Sequence, residues 1–318
     1  MKVLCIVVNF RTAQHTVLAV DSLLRDLDGI DARVAIVDNA SRDGSLEAFE
    51  RAAAERGWRD RVQVIASDRN GGFGYGNNLA IRSALRSASA PHFFFLLNPD
   101  AAVEPGAVRA LLDAFADNPR LGIAGSSIRG FDDESHVSGF RFPTILGELE
   151  AGLRLGIATR LLRKWAVAAA PPERTARVDW VSGAAIMVRR DVFESVGLFD
   201  ESFFLFYEET DLCHRARRAG WQTWYVHESR VRHAGGIATG LREKGRRVPS
   251  YWYASRRTYY LKHHGQAYLW CANSSFAAGY FLWRIRRRVQ NKPDADPPHL
   301  LADFLRHNLL PARRAGAR

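Results

Sequence analysis

Up to Phe115 the chain alternates short β-branched and aromatic runs with segments whose apolar positions recur every three or four residues. The runs Val3–Val8, Val34–Val37, Val62–Ala66 and Phe93–Leu97 have the length of buried strands. Each is followed by a helical pattern, at Thr16–Leu27, Leu46–Glu55, Tyr75–Arg86 and Val108–Phe115. This alternation predicts an α/β fold with a mostly parallel sheet flanked by helices. Ligands bind such sheets outside the carboxyl ends of the strands. The informative residues are therefore Asn9, Asp38 and Asn39, the 68–78 loop and Asn98-Pro99-Asp100.

The regular pattern lapses over residues 126–178, which read as a variable insertion with an acidic patch at Asp132–Glu134 and a Pro171-Pro172 pair. A strand at Val181–Val188, a helix from Glu208 to Ala219 stopped by Gly220, and a strand at Thr223–Val226 follow, so the core closes near residue 235. Beyond it, Tyr251–His263 reads as helix, and Ala267–Trp283 is an uncharged run abutting Arg284, Arg286, Arg287 and Arg288.

Composition narrows the class. A chain of 318 residues that is 47% hydrophobic can bury a full core, as one large domain with an extension or as two small ones. Cys5, Cys213 and Cys271 share no metal-ligand spacing and make an odd count, which argues against a disulfide framework and for a reducing compartment. The N-terminal MKVLCIVVNF reaches Asn9 and Arg11 too soon for a signal peptide and reads as a strand, so a cytoplasmic location is expected. The net charge of +11 is local: residues 227–318 hold 18 Lys/Arg against 5 Asp/Glu. Nucleic acid, an anionic membrane surface and plain solvated loops all suit a basic tail. The neighbouring aromatics favour lipid.

Each strand end carries a chemical option beside a structural one. Asp38 could accept the N3–H of a uracil or thymine ring, or could simply form an Asx-turn with Asn39 and Ser41. The loop from Asp68 to Asn78 has four glycines in six positions and opens a helix, an arrangement that brings backbone N–H groups close to phosphate or ribose oxygens. Its spacing fits neither the dinucleotide fingerprint nor the P-loop. Asp100 emerges from the buried strand FFFLL, where a hard divalent ion bridging a diphosphate would suit it and a turn role would equally occur. Glu208, Glu209 and Asp211 crowd a helix start behind the aromatic run Phe203–Tyr207. The helix dipole and an Asp211–Arg215 pair account for part of this, and a carboxylate beside apolar surface gains the proton affinity a general base needs. His233, before Gly235 and Gly236, could complete the shell of an ion at Asp100.

Taken in order, VVNF, VDNAS, NGGFGYGNN, LLNPDA, WVSGAAIMVRRDVFESVGLFDESFFLFYEETDLCHRARRAGW and VRHAGG resemble the family 2 glycosyltransferases of the GT-A fold, most of all their bacterial rhamnosyltransferase-like members. The resemblance implies a catalytic domain over residues 1–240, with 126–178 on the acceptor side, and leaves 241–318 as a basic helical extension. It implies that Asn9, Asp38 and Asn39 hold the nucleoside, that Gly72 and Asn78 line the diphosphate-sugar, and that Asp100 and His233 bind Mg²⁺ or Mn²⁺. Trp180, Gly183, Ala184 and Asp211 would shape the sugar and acceptor pocket. Glu209, with Glu208 beside it, would be the general base of an inverting transfer from a dTDP- or UDP-sugar, L-rhamnose among them. The acceptor would be a glycan or lipid-linked molecule of cell-surface polysaccharide synthesis, at the inner face of the membrane. Two positions depart from the family pattern. Asn98 stands where the first Asp of DxD is usual, and the base is Glu where Asp is usual.

Two other functions compete. A sugar-nucleotide nucleotidyltransferase would carry a glycine-rich, basic loop after the first strand, and Asn9-Phe10-Arg11-Thr12 has no glycine. A catalytically silent membrane- or nucleic-acid-binding protein would have no need of Asp100, Glu209 and His233 together.

Overall fold

The computed structural model describes residues 1–58, 60–168, 173–235 and 245–309. The chain opens with β1 (Val3–Asn9), α1 (Ala13–Asp26), β2 (Ala32–Asp38), α2 (Ser45–Glu55), β3 (Val62–Ala66), α3 (Gly72–Leu85), β4 (Phe93–Leu97), β5 (Ala101–Val103) and α4 (Ala107–Asp117). There follow β6 (Leu121–Arg129), β7 (Ser135–His136), β8 (Gly139–Phe140), α5 (Ile145–Leu153), α6 (Gly156–Leu162), β9 (Ala176–Val178), β10 (Trp180–Val181) and β11 (Ala185–Arg189). The last elements are α7 (Arg190–Val196), α8 (Glu208–Arg218), β12 (Gln222–His233), α9 (Ser250–Val289) and α10 (Leu300–Leu309). They fall into two compact units, one of residues 1–140, 170–204 and 208–240, the other of residues 141–169, 205–207 and 241–318.

The first unit is built on a sheet of order β3-β2-β1-β4-β11-β6-β12-β5. Strands β3, β2, β1 and β4 are parallel, as the alternating pattern predicts, in a register that sets Asn9 beside Asp38 and Val7 beside Leu97. Their interiors are continuously apolar because helices cover the sheet. In α4 the buried residues Val108, Leu111, Leu112 and Phe115 repeat at helical spacing. They pack with Leu23, Ile36, Phe95, Leu97 and Met187 into the main core.

Several expected elements are redrawn. The strand expected at Val181–Val188 is two, because Ser182–Ala184 turn: β10 pairs with β8, and β11 runs antiparallel between β4 and β6. Since β11 starts at the carboxyl edge, with Ala185 opposite Leu97, it can only run back against β4. The sheet is thus mixed, though mostly parallel where the strand-end loops gather. The strand expected at Thr223–Val226 extends to His233 across a register shift after Val226. Residues 126–178, expected as one irregular insertion, contain α5 and α6 and divide between the units at Phe140 and Arg141. Pro171, Pro172 and the expected domain boundary at 240–241 lie outside the described residues.

The second unit centres on α9, which joins both C-terminal segments expected from the pattern and is interrupted at Gly265, where φ is +83°. Helix α5 packs on α9 through a pair of glycines. A Cβ on Gly152 would meet the Phe276 carbonyl at 2.6 Å, and one on Gly279 would meet the Leu149 carbonyl at 2.9 Å. Inside this unit Glu148 pairs with the fully buried Arg256 at 3.0 Å and accepts the Tyr260 hydroxyl at 2.7 Å. Among the described residues no helix is long and apolar enough to cross a membrane.

Candidate active site

The loops leaving β1, β2, β4 and β12 and the turn entering β11 gather on the carboxyl side of the parallel strands and are tied by hydrogen bonds. Asn9 is the first node. Its amide nitrogen donates to Asp38 Oδ1 at 2.7 Å and to Ser41 Oγ at 3.0 Å, while its carbonyl accepts from the Thr12 and Thr16 hydroxyls at 3.1 and 2.9 Å. Asp38 is capped in turn by Ser41, whose backbone N–H donates to Oδ2 at 3.0 Å. Of the two options read for Asp38, the turn is the one seen: the carboxylate closes an Asx-type turn and Asn9 orients it. The turn is tight enough to hold Ala40 and Arg42 at positive φ, 59° and 53°.

Asn39 joins the second strand to the glycine loop. Its Nδ2 donates to Asn70 Oδ1 at 2.9 Å and to the Gly72 carbonyl at 3.0 Å, both obligate acceptors, so the amide orientation is set and the buried Oδ1 is left without a partner. Helix α3 starts at Gly72, three residues before the expected Tyr75, because Asn70 Oδ1 accepts the Gly72 N–H at 3.0 Å. Gly72 has φ +88°, and a Cβ there would stand 1.8 Å from the Phe204 carbonyl oxygen, which accepts the Phe73 N–H at 3.1 Å. Glycine is needed here for close approach to protein backbone. Asn78, expected to line the donor, is committed in the same way: it donates to the Phe199 carbonyl at 2.9 Å and to Glu201 at 2.8 Å, and accepts the Phe199 N–H at 3.1 Å. It anchors the 199–204 segment and has nothing left for a ligand's phosphate.

The 98–100 turn is tied to the pocket residues through Asn98, whose N–H donates to the Ala184 carbonyl at 2.9 Å. Asn98 Nδ2 lies 3.2 Å and Asp100 Oδ1 3.0 Å from the same nitrogen of His233, Nε2. A neutral imidazole nitrogen either donates or accepts, so it cannot satisfy an amide donor and a carboxylate at once. With the Asn98 amide turned, its oxygen and an Asp100 oxygen both lie within 3.2 Å of His233 Nε2. The donor set of one carboxylate, one amide oxygen and one imidazole suits Mn²⁺ or Mg²⁺ with phosphate and water completing the shell. Among the described residues no cluster of three His, Cys, Asp or Glu side chains does so alone. Gly236, the second glycine after His233, lies outside the described residues.

The acidic pair stands at the first turn of α8. Glu208 is buried and Glu209 half-buried. Burial pushes the Glu208 carboxyl well above the usual carboxylate range, and the neighbouring Glu209 charge pushes it further. Burial also raises Glu209, against hydrogen bonds from its own backbone and those of Gly183 and Thr210. The Oε2 atoms of both residues are buried without a partner. Gly183 adjoins the acidic pair: a Cβ there would be 3.4 Å from the Phe73 ring and 3.5 Å from Glu209 Oε1. Ala184 is buried in the core and contributes its carbonyl. Trp180 stacks on Phe140, with ring centroids 4.1 Å apart. Asp211, expected at the acceptor pocket, is fully buried and bonded to Arg215 at 2.8 Å. That arginine also caps the Val196 and Leu198 carbonyls, which makes Asp211 part of the scaffold. The aromatic run is divided too: Phe203 is buried, while Phe206 stacks on Tyr251 and Tyr207 packs on Tyr259 within the second unit.

Ser41 closes the Asx-type turn it was read for, whereas reading by motif missed the roles of Thr16, Asn70 and Phe204, which hold the named residues in place. Asn70 lies inside a quoted motif and carries a turn-forming side chain, a signal that was present. Nothing local marks Thr16 or Phe204.

The chain matches the family model described as "Glycosyltransferase like family 2" over residues 2–257. An N-acetylglucosaminyl-diphospho-decaprenol L-rhamnosyltransferase of Mycobacterium tuberculosis is 32% identical over 219 residues, which are 65% of this chain and 68% of that protein. Rhamnosyltransferase WbbL of Escherichia coli is 29% identical over 161 residues, 49% of this chain and 58% of that one. In fold, the chain is similar to the mannosyltransferase PcManGT from Pyrobaculum calidifontis, solved with GDP-Man and Mn²⁺. The TM-score is 0.55 at 14% identity, covering 97% of this chain and 86% of that one.

Proposed function

The chain belongs to the glycosyltransferase like family 2, and from that membership we propose an inverting, metal-dependent transferase. It moves a sugar, L-rhamnose first among candidates, from a dTDP- or UDP-linked donor to a glycan or lipid-linked acceptor at the inner face of the membrane. The rhamnosyltransferase names of two relatives support the sugar, and the diphospho-decaprenol in one of them supports a lipid-linked acceptor. The observation that carries the reading is Glu209, a carboxylate of raised proton affinity with an unpaired oxygen, next to Gly183 and Phe73 in an otherwise hydrogen-bonded set of loops.

In the proposed reaction Glu209 takes the proton of the acceptor hydroxyl as its oxygen bonds to the anomeric carbon. The bond from that carbon to the phosphate oxygen breaks on the opposite face, and the diphosphate leaves with the electron pair, so the anomeric configuration inverts. Glu208, more deeply buried, holds a proton more readily than Glu209 and so favours the ionised form of Glu209 beside it. Asp38, held by Asn9 and Ser41, and the unpaired Asn39 Oδ1 serve as acceptors facing the base. Asn98, Asp100 and His233 would hold the divalent ion, which when bound neutralises charge on the departing diphosphate. The test is a thermal-shift screen of dTDP-rhamnose and UDP-sugars with Mn²⁺, followed by NMR of the product anomer. Retention of configuration, or no stabilisation by any nucleoside diphosphate, would overturn it.

A further inference from the structure

The C-terminal half of α9 has two faces of different character. Leu269, Ala272, Gly279 and Tyr280 are buried, and Phe276 packs on Phe304 of α10 with centroids 4.6 Å apart. The opposite face, from Trp270 through Ser274 and Ala278 to Phe281, Ile285 and Val289, is exposed at helical spacing. It bears no charge until Arg288. Trp270 is 62% exposed, Phe281 57% and Val289 81%. This apolar stripe runs about 28 Å at 1.5 Å per residue. A surface of that extent and composition is uncommon on a monomer without a partner.

The arginines next to it are not equivalent. Arg286 donates to the Leu153 and Arg154 carbonyls at the end of α5, at 2.9 and 2.7 Å. Arg287 is buried and pairs with Asp294 at 2.9 Å. Arg288 is exposed. Helix α6 follows α5 directly within the same compact unit. It buries no residue of its own and presents Ile157 and Leu161, 66% and 74% exposed, around Arg160. A groove of about 560 Å³ between Phe281, Ile285, Leu301 and Leu305 continues the apolar surface.

We propose that this stripe and α6 form a lipid-docking face, on which α9 lies in the plane of an anionic bilayer surface. Its apolar side chains sit at the level of the headgroups and upper acyl chains, and Arg288 and Arg160 meet lipid phosphates. Charge selects lipid over a second copy of the chain. The second unit carries 21 Lys/Arg against 6 Asp/Glu, and a two-fold contact through this face would set that charge against itself. An anionic surface complements it. One-sided exposure fits a helix lying in the surface and not one crossing it. The proposal deepens the membrane part of the functional reading, and its test needs no sugar transfer.

Cys271 lies on the stripe and is exposed, while Cys5 and Cys213 are buried, so the native chain offers one reactive thiol as a probe site. The full-length protein labelled there with an environment-sensitive fluorophore is titrated with vesicles of phosphatidylcholine alone and of equimolar phosphatidylcholine and phosphatidylglycerol. The expected result is a blue shift and flotation with the anionic vesicles only. Phe281→Ser with Ile285→Ser should weaken binding about tenfold or more, and Arg288→Ala several-fold, because these side chains are exposed. Nucleoside-diphosphate stabilisation should survive all three changes, which separates this proposal from the transferase reading. Flotation without a probe shift would mean that another face binds lipid, and would overturn it. A concentration-dependent shift without vesicles would assign the stripe to self-association, and no binding to anionic vesicles would likewise refute it.

Discussion

Replacing Glu209 by Gln removes the proton affinity of the proposed base and keeps its size and its acceptor oxygen toward the Gly183 N–H. Of the two carboxyls, Glu208 is the more buried, and the charge of Glu209 raises it further, so Glu208 holds a proton more readily and Glu209 is the first of the pair to ionise. A general base contributes roughly 10²- to 10⁴-fold. That corresponds to about 2.7–5.5 kcal/mol of barrier, so kcat should fall by this factor. Nucleotide affinity should hold, because Glu209 contacts none of the residues assigned to the nucleoside. The pH profile gives the sharper check. Burial raises the Glu209 carboxyl above its ordinary value of 4.5, so the acid limb of kcat/KM in the unaltered enzyme should lie above that value. The limb should vanish in Glu209→Gln. Release of nucleoside diphosphate, followed by a coupled spectrophotometric assay across the acid and neutral range, measures both. Glu208→Gln mimics the protonated side chain and should stay within a few-fold of the parent near neutrality. A hundredfold loss in Glu208→Gln beside a small loss in Glu209→Gln would refute the assignment within the pair.

Other consequences follow from the same geometry. Asp100→Ala should fold normally yet lose the extra thermal stabilisation that Mn²⁺ confers on nucleoside-diphosphate binding, about 2.7 kcal/mol when ligand stands at 100 times Kd. Equal stabilisation of both proteins in the presence and absence of EDTA would remove the ion from the site. Gly72→Ala combines φ +88° with a Cβ 1.8 Å from the Phe204 oxygen, so it should cost about 3 kcal/mol or more in urea unfolding. A loss below about 1 kcal/mol would show that the loop yields easily. A carboxyl raised on folding stabilises the native state below its unfolded pKa, and that contribution is lost as pH rises through the folded pKa. Glu208→Gln should therefore raise Tm relative to the parent increasingly from about pH 5 upward. A pH-independent difference would contradict the direction found for Glu208.

Where local sequence dictates local structure, the fold was open to reading in advance. Strands β1 to β4 are apolar runs bounded by turn residues, and their order in the chain implies the parallel half of the sheet. What stayed hidden depends on partners distant in sequence. Residues 182–184 end one strand and begin another because β8 and β4 claim its two halves, and nothing in WVSGAAIMV marks the break. Residues 145–162 show little period because α5 meets α9 through Gly152, and glycine contributes no apolar signal. In the site, Asn9 ends β1, Asn78 lies in the second turn of α3 and Asp211 in the first turn of α8, and each spends its polar atoms on the protein.

That expenditure bears on how the site would recognise a donor. A buried polar atom without a partner costs roughly 1–3 kcal/mol, so folded proteins hold few unless something else completes them. In the loops around the strand ends, Asn39 Oδ1, Asn77 Oδ1, Glu208 Oε2 and Glu209 Oε2 remain in that condition. Asn9 and Asn78 around them are bonded through both side-chain atoms. The bonded group fixes the loops before any ligand arrives, which lowers the ordering cost of binding. The unbonded acceptors are then the atoms whose energy falls when a donor N–H or an acceptor hydroxyl enters. On this argument Asn39 would discriminate a nucleoside more directly than Asn9, although Asn9 is the more heavily hydrogen-bonded of the two.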